Sequence, residues 1–177
     1  MLKKGLTKQS RKMKIASDKR KRRKSIKGAP PSISKLIKAC DKEFSIKVRM
    51  NGAWLKDGEW WNRDYTTGYE APIKKLHCGH YLSRYYKAAR WNFDNARPQS
   101  YMTNIHMRGD PIRFRQNLVA EIGEARVLAV EKLRDAPIKL SREYLTGLLA
   151  ALKKGIVIDG TPFTIEAANE ALASLKK

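Results

Sequence analysis

The sequence predicts an α+β fold: a small mixed core with flanking helices, a basic N-terminal arm and a helical C-terminal region. Three observations predict it. Apolar residues recur at helical spacing from Ile33 to Phe44. Strand and hairpin signals then occupy residues 46–63 and 79–82. Helical periodicity returns after Pro111 and continues towards the C-terminus. The divisions fall at 1–30 for the arm, 31–134 for the core and 135–177 for the C-terminal extension.

The arm carries 13 Lys and Arg between Lys3 and Lys27 against one acid, Asp18. Its block Lys19, Arg20, Lys21, Arg22, Arg23, Lys24 repels itself, so the arm is expected to be disordered when free. Such a segment adds phosphate contacts and salt-sensitive affinity blind to sequence. Gly28-Ala29-Pro30-Pro31 ends it. Ser32 suits a helix cap, and Ile33, Leu36, Ile37, Cys40 and Phe44 share one face of about a dozen residues. Ile46, Val48 and Met50 alternate, which reads as a strand leading into Asn51-Gly52. Asp57-Gly58 is a second hairpin signal. Trp54, Trp60 and Trp61 cluster here and are read as core, with stacking on unpaired bases as the alternative.

A strand is expected at Gly79–Leu82, a loop through Trp91 and a short helix near Asn104. Pro111 suits a helix start; Ile112, Phe114, Leu118, Val119 and Ile122 form its apolar face, and Gly123 breaks it. A second helix follows over Glu124–Leu133. Ser141 caps a third, with Tyr144, Leu145, Leu148, Leu149 and Leu152 as its stripe. A short hairpin near Asp159-Gly160 and a last helix from Thr164 complete the pattern.

Of the 177 residues, 38 are Lys or Arg and 17 are Asp or Glu, a net charge of +21. That surplus points to a polyanionic partner, most commonly nucleic acid. Two cysteines, Cys40 and Cys78, give no disulfide framework and fit a reducing cytoplasm. No run of 18 apolar residues suits a membrane span, and the basic N-terminus lacks the apolar core of a secretion signal.

His80, Asn95 and Asn104 lie within 25 residues. Histidine on a strand, asparagine in the connecting loop and asparagine on the next helix is the order of a ββα-metal site. There, histidine activates water while a metal ion steadies a phosphodiester. A hydrogen-bonded strand histidine and a turn asparagine would show the same spacing, so spacing alone does not decide.

The surrounding residues are more specific. Lys35-Leu36-Ile37-Lys38 precedes Asp41-Lys42-Glu43-Phe44-Ser45. Gly79-His80-Tyr81-Leu82-Ser83-Arg84 and Ala89-Arg90-Trp91 follow. Asn95-Ala96-Arg97-Pro98-Gln99, Thr103-Asn104 and Phe114-Arg115-Gln116-Asn117-Leu118 with Gly123 close the pattern. Over roughly residues 32–132 this resembles the NinG-type (Rap-like) phage recombination endonucleases, an HNH-related family.

The resemblance implies a ββα-metal (HNH-like) core and metal-dependent cleavage of branched recombination DNA of Holliday-junction or D-loop type. It implies that His80 takes a proton from the attacking water. Asn104 would bind Mg²⁺ or Mn²⁺, and Asn95 would fix the loop that aims His80. Many HNH enzymes have an acidic metal ligand directly before the histidine; here Gly79 stands in that place. A second ligand is therefore sought among His77, His106, Asp94 and Asp110. Arg84, Arg90 and Arg97 suit phosphates through paired donors.

The family's four zinc-knuckle cysteines fall on Asp64, Thr67, Ser100 and Thr103. Neutral hydroxyls are weak zinc ligands, so no structural zinc is expected. Hydrogen bonds among these residues, with Trp60 and Trp61 packing, are expected to hold the two loops instead. Implied partners are branched DNA and a second copy of the chain, with no membrane or small-molecule substrate, acting in the cytoplasm of a host cell. A catalytically silent DNA-binding accessory protein and a basic RNA-binding structural protein are the competing readings.

Overall fold

The computed structural model describes residues 30–154. The basic arm, the expected hairpin near Asp159-Gly160 and the helix from Thr164 lie outside the described residues. From Ser32 onward the described residues belong to one compact unit.

Helix α1 spans Ile33–Met50, and the Ser32 side chain accepts from Lys35 N at its start. Leu36, Cys40, Phe44 and Val48 are buried at steps of four. That stripe explains why the expected strand at Ile46–Met50 is instead the last turn of a helix. Val48 continues the apolar face, and Lys47 and Arg49 suit the negative end of the helix dipole. The alternation of Ile46, Val48 and Met50 is accidental, since Ile46 points to solvent. Asn51 caps the helix, and Gly52, at φ 73°, turns the chain.

Strands β1 (Trp54–Lys56), β2 (Glu59–Arg63) and β3 (Glu70–Pro72) form an antiparallel sheet in that order. Asp57-Gly58 makes the first hairpin, with both residues at positive φ as a two-residue turn requires. The tryptophans here are not core. Trp60 is exposed, while Lys56 lies over Trp61 and Arg63 over Trp54. Trp54 and Trp61 are only half-buried, and their indoles pack under cations.

Strands β4 (His77–His80) and β5 (Ala96–Gln99) form a separate antiparallel pair, in which Gly79 faces Arg97 and His80 faces Ala96. Nothing in Ala-Arg-Pro-Gln announced a strand. Pro98 is tolerated because the pair is two-stranded, and its carbonyl accepts from Tyr65 N. After β5, the short helix expected near Asn104 is a π-helical turn over Met102–His106.

Helix α2 (Pro111–Ile122) starts with Pro111 just after the Asp110 cap and stops at Gly123, φ 83°. Helix α3 (Glu124–Lys132) follows directly. Helix α4 (Arg142–Lys154) begins where Ser141 Oγ accepts from Tyr144 N. The described part of the C-terminal extension, α4, packs on α1. Leu145, Leu148 and Leu152 share one core with Cys40, Phe44, Val48 and Trp91. Cys40 Sγ–H reaches Leu145 O at 3.5 Å. Two smaller clusters, one around Leu82 and Val130 and one around Phe114, Leu118 and Val127, seat α2 and α3 beside the strand pair.

Candidate active site

One cleft of about 330 Å³ opens between α1, β4 and the π-turn. Its walls include Asp41, Arg49, His77, His80, Arg84 and Asn104. His80, Asn104 and His77 therefore face a common space. Strand residues three apart ordinarily point to opposite faces. Here the His80 ring folds back along its own strand, with Nδ1 3.2 Å from Cys78 O.

Nε2 of His80 lies 3.0 Å from Arg90 O. Assigning the proton to Nε2 follows from that shorter contact and leaves the lone pair on Nδ1. Burial pushes the imidazole down to about 4, and the nearby Arg84 charge adds to the shift. The Arg90 and Cys78 carbonyls and Asp41 pull the other way. The ring is neutral near pH 7.

Asp41 was absent from the residues that sequence singled out for chemistry. It receives Arg90 Nε at 2.9 Å and a second Arg90 nitrogen at 2.7 Å, and Trp91 Nε1 at 3.0 Å. Asp41 thus anchors the segment whose carbonyl holds His80. Its place in the Asp41–Ser45 motif was the available signal, hidden by the apolar stripe next to it. Arg90, expected on phosphates, spends its fork on Asp41 and on Arg84 O.

Asn95 is completely buried. Its oxygen accepts from Leu82 N at 2.7 Å, and its amide donates to Leu82 O and Ala89 O. It ties together both ends of the loop that follows His80 and does not reach the cleft. Asn104 Nδ2 lies 3.1 Å from His77 Nδ1. The remaining candidates lie elsewhere. His106 is exposed and edge-on to Tyr101. Asp94 is buried and held by both forks of Arg126. Asp110 caps α2 by accepting from Arg113 N. Each has a structural partner that explains it, and none lines the cleft.

Arg97 is a further correction. It is buried, pairs with both oxygens of Glu121 at 3.0 Å, and donates to Ala96 O and Phe93 O. Its donors are used inside the fold, not offered to phosphate. Arg84 is different: exposed at the cleft rim, with no ion-pair partner among the described residues. Arg49 also lines the cleft, braced by Ser45 O and Ile73 O, and sequence did not single it out. Cys78 reaches the same cleft, but burial pushes its thiol up to about 12, so it is no nucleophile at neutral pH.

No group of three or more His, Cys, Asp or Glu side chains gathers among the described residues. Beside Asp41, His80 and Cys78, the cleft holds His77 and Asn104, whose ring nitrogen and amide nitrogen face each other. An ion held by these two alone would have to take most of its coordination from water and substrate oxygens.

The four knuckle positions do come together. Asp64 Oδ1 accepts from Thr66 N and Thr67 N at 2.8 and 3.0 Å, and Oδ2 from Ser100 N at 2.7 Å. Ser100 Oγ and Thr103 Oγ1 are 3.1 Å apart. Burial alone would raise the Asp64 carboxyl, but the Ser100 and Thr103 hydroxyls and the Ser100 and Thr67 amides hold it below its ordinary value. An ionised carboxylate now crosslinks the two loops. The exposed Trp60 takes no part.

The fold is α+β, and one cleft brings His77, His80 and Asn104 together beside Arg49 and Arg84. A family model described as Bacteriophage Lambda NinG protein matches residues 2–156, and the chain belongs to that family. Membership supports a nuclease-type role in DNA recombination. No curated protein and no solved structure matches the chain.

Proposed function

We propose that the protein is a divalent-metal-dependent endonuclease that hydrolyses phosphodiesters in branched recombination DNA, of the Holliday-junction or D-loop type. One observation carries the reading: His80, His77 and Asn104 line a single cleft with an unpaired arginine, Arg84, at its rim. The arrangement supports a ββα-metal reading of β4, β5 and the turn that bears Asn104.

In this reading a phosphodiester enters the cleft with its oxygens towards Arg84 and Arg49. The neutral His80 accepts a proton from water at Nδ1, exchanging its longer contact to Cys78 O for the water. Nε2 keeps its bond to Arg90 O, and that carbonyl favours the imidazolium that forms. Asp41, through Arg90 and Trp91, keeps the carbonyl in place. Asn95 supports the same loop from beneath. His77 and Asn104 would hold the ion, with the ring nitrogen favouring Mn²⁺ over Mg²⁺. When bound, a divalent ion supplies positive charge opposite the phosphoryl and leaving oxygens.

The competing reading, a silent DNA-binding accessory protein, draws on the contacts of both His80 nitrogens with carbonyls. One assay separates them. Synthetic junction, flap and linear DNA are incubated with Mn²⁺, Mg²⁺ or EDTA, using the parent and His80→Ala. The nuclease reading expects metal-dependent cuts by the parent, lost in His80→Ala with DNA affinity kept. Equal cutting by both proteins, or none by either, rejects the assignment.

A further inference from the structure

A second concavity, of about 510 Å³, adjoins the first. Its walls are Tyr69, Tyr101, Met102 and Met107, with Lys75 and Thr67 at the edge. Tyr69 is 63% exposed, Tyr101 55% and Met102 59%. Three such side chains in one hollow form an apolar patch on a chain of net charge +21, and patches of this kind mark binding sites.

Tyr101 links the two spaces. It lines the hollow, and its ring stands edge-on to His77 with centroids 5.7 Å apart. His77 in turn meets Asn104. The apolar hollow and the proposed metal-binding pair therefore share a wall one side chain thick. Lys75 has no ion-pair partner among the described residues, so its ammonium is available to a phosphate. The hydroxyls of Thr67 and Ser100 give the hollow a few polar groups at its edge.

We infer that this hollow captures one unpaired nucleobase of the DNA strand whose phosphate occupies the cleft. The inference rests on the proposed nuclease reading and adds a substrate feature to it. Aromatic and thioether surfaces suit the flat face of any base, while Lys75 suits the adjoining phosphate. A base inside an intact duplex is already stacked and cannot enter without being extruded. A base at a junction, flap or gap is free to enter. Preference for branched DNA then has a physical origin at Tyr69 and Tyr101.

The test uses the full chain in EDTA, so no strand is cut. Flap and gapped oligonucleotides carry 2-aminopurine at the unpaired position, and a duplex of equal length carries it internally. The parent is expected to change the probe's fluorescence only when the probe is unpaired. Tyr101→Ala and Tyr69→Ala should abolish that change and weaken flap binding roughly ten-fold, about the size of one base–aromatic stack, while duplex affinity stays. Tyr101→Phe should restore both, which separates stacking from a folding defect. Equal flap and duplex losses, or alanine variants indistinguishable from the parent, overturn the inference. Cleavage in metal without any fluorescence change leaves the nuclease standing and removes the base site. Fluorescence capture without cleavage does the reverse.

Discussion

Gln99 fills the space that a side chain at Gly79 would need. A Cβ built on Gly79 would lie 2.6 Å from Gln99 Cδ and 2.7 Å from its Cγ, with Oε1 nearer still. Gln99 cannot simply swing aside, because its amide donates to Thr66 Oγ1 and to Gly109 O. The packing explains why no acidic ligand precedes His80: the strand pair leaves no room for any side chain there. Gly79→Ala is expected to destabilise the protein by about 1–3 kcal/mol, the usual cost of overpacking. Urea unfolding of Gly79→Ala, Gln99→Ala and the double variant checks it. The double variant should cost less than the sum of the singles; strict additivity would show that the two sites do not clash.

Asp64 is expected to hold together the two loops that carry Thr67, Ser100 and Thr103. Its carboxylate is nearly inaccessible and accepts three backbone amides. Asp64→Asn turns a donor towards Ser100 N and should cost about 2–3 kcal/mol, as for a lost charge-assisted bond. Chelation should leave the melting temperature of the parent unchanged. A fall in melting temperature on adding EDTA, restored by zinc, would mean that a metal still holds these loops.

His80 couples folding to pH. Its ordinary value is 6.5 and its folded value about 4. Between those values the unfolded chain binds a proton that the folded chain refuses, so stability falls as pH drops through the window. The contribution is complete above pH 6.5 and amounts to at most about 3 kcal/mol. Urea unfolding in EDTA at pH 7 and pH 5 should show a loss in the parent that His80→Gln largely lacks. Keeping the measurement at pH 5 and above separates His80 from Asp64 and Glu121, which are both held below their ordinary values and lose their stabilising charge only at lower pH. An identical pH slope in His80→Gln would assign the acid sensitivity to other groups.

Two arginines of the same motif region should behave oppositely. Arg84→Ala removes an exposed, unpaired charge, so stability should change by less than about 0.5 kcal/mol. DNA affinity should fall in a salt-dependent way, with the salt slope reduced by about one. Arg97→Ala removes the paired bonds to Glu121 and the donors to Ala96 O and Phe93 O, and should cost about 1–3 kcal/mol of stability. Denaturant curves and binding titrations at several salt concentrations distinguish them. A stable Arg97→Ala protein with weakened DNA binding would return Arg97 to the interface.

Sequence alone determined what short-range rules govern. The buried stripe of α1, the Asp57-Gly58 hairpin, the Pro111 start and Gly123 stop of α2, and the Ser141 start of α4 each depend on residues within a turn or two. Net charge and the spaced motifs carried the family in the same way. Tertiary structure decided which polar groups are spent and which stay free. Arg90 and Asp41 are 49 positions apart, and Arg97 and Glu121 are 24 apart, so no local pattern could pair them. The same holds for the Asp64 crosslink to Ser100, for the room denied to a side chain at Gly79, and for the turn of the His80 ring into the cleft that also holds His77. Propensity acts along the chain, whereas a carboxylate, a carbonyl and a guanidinium choose partners by distance in space, which is known only once the helices and strands have packed.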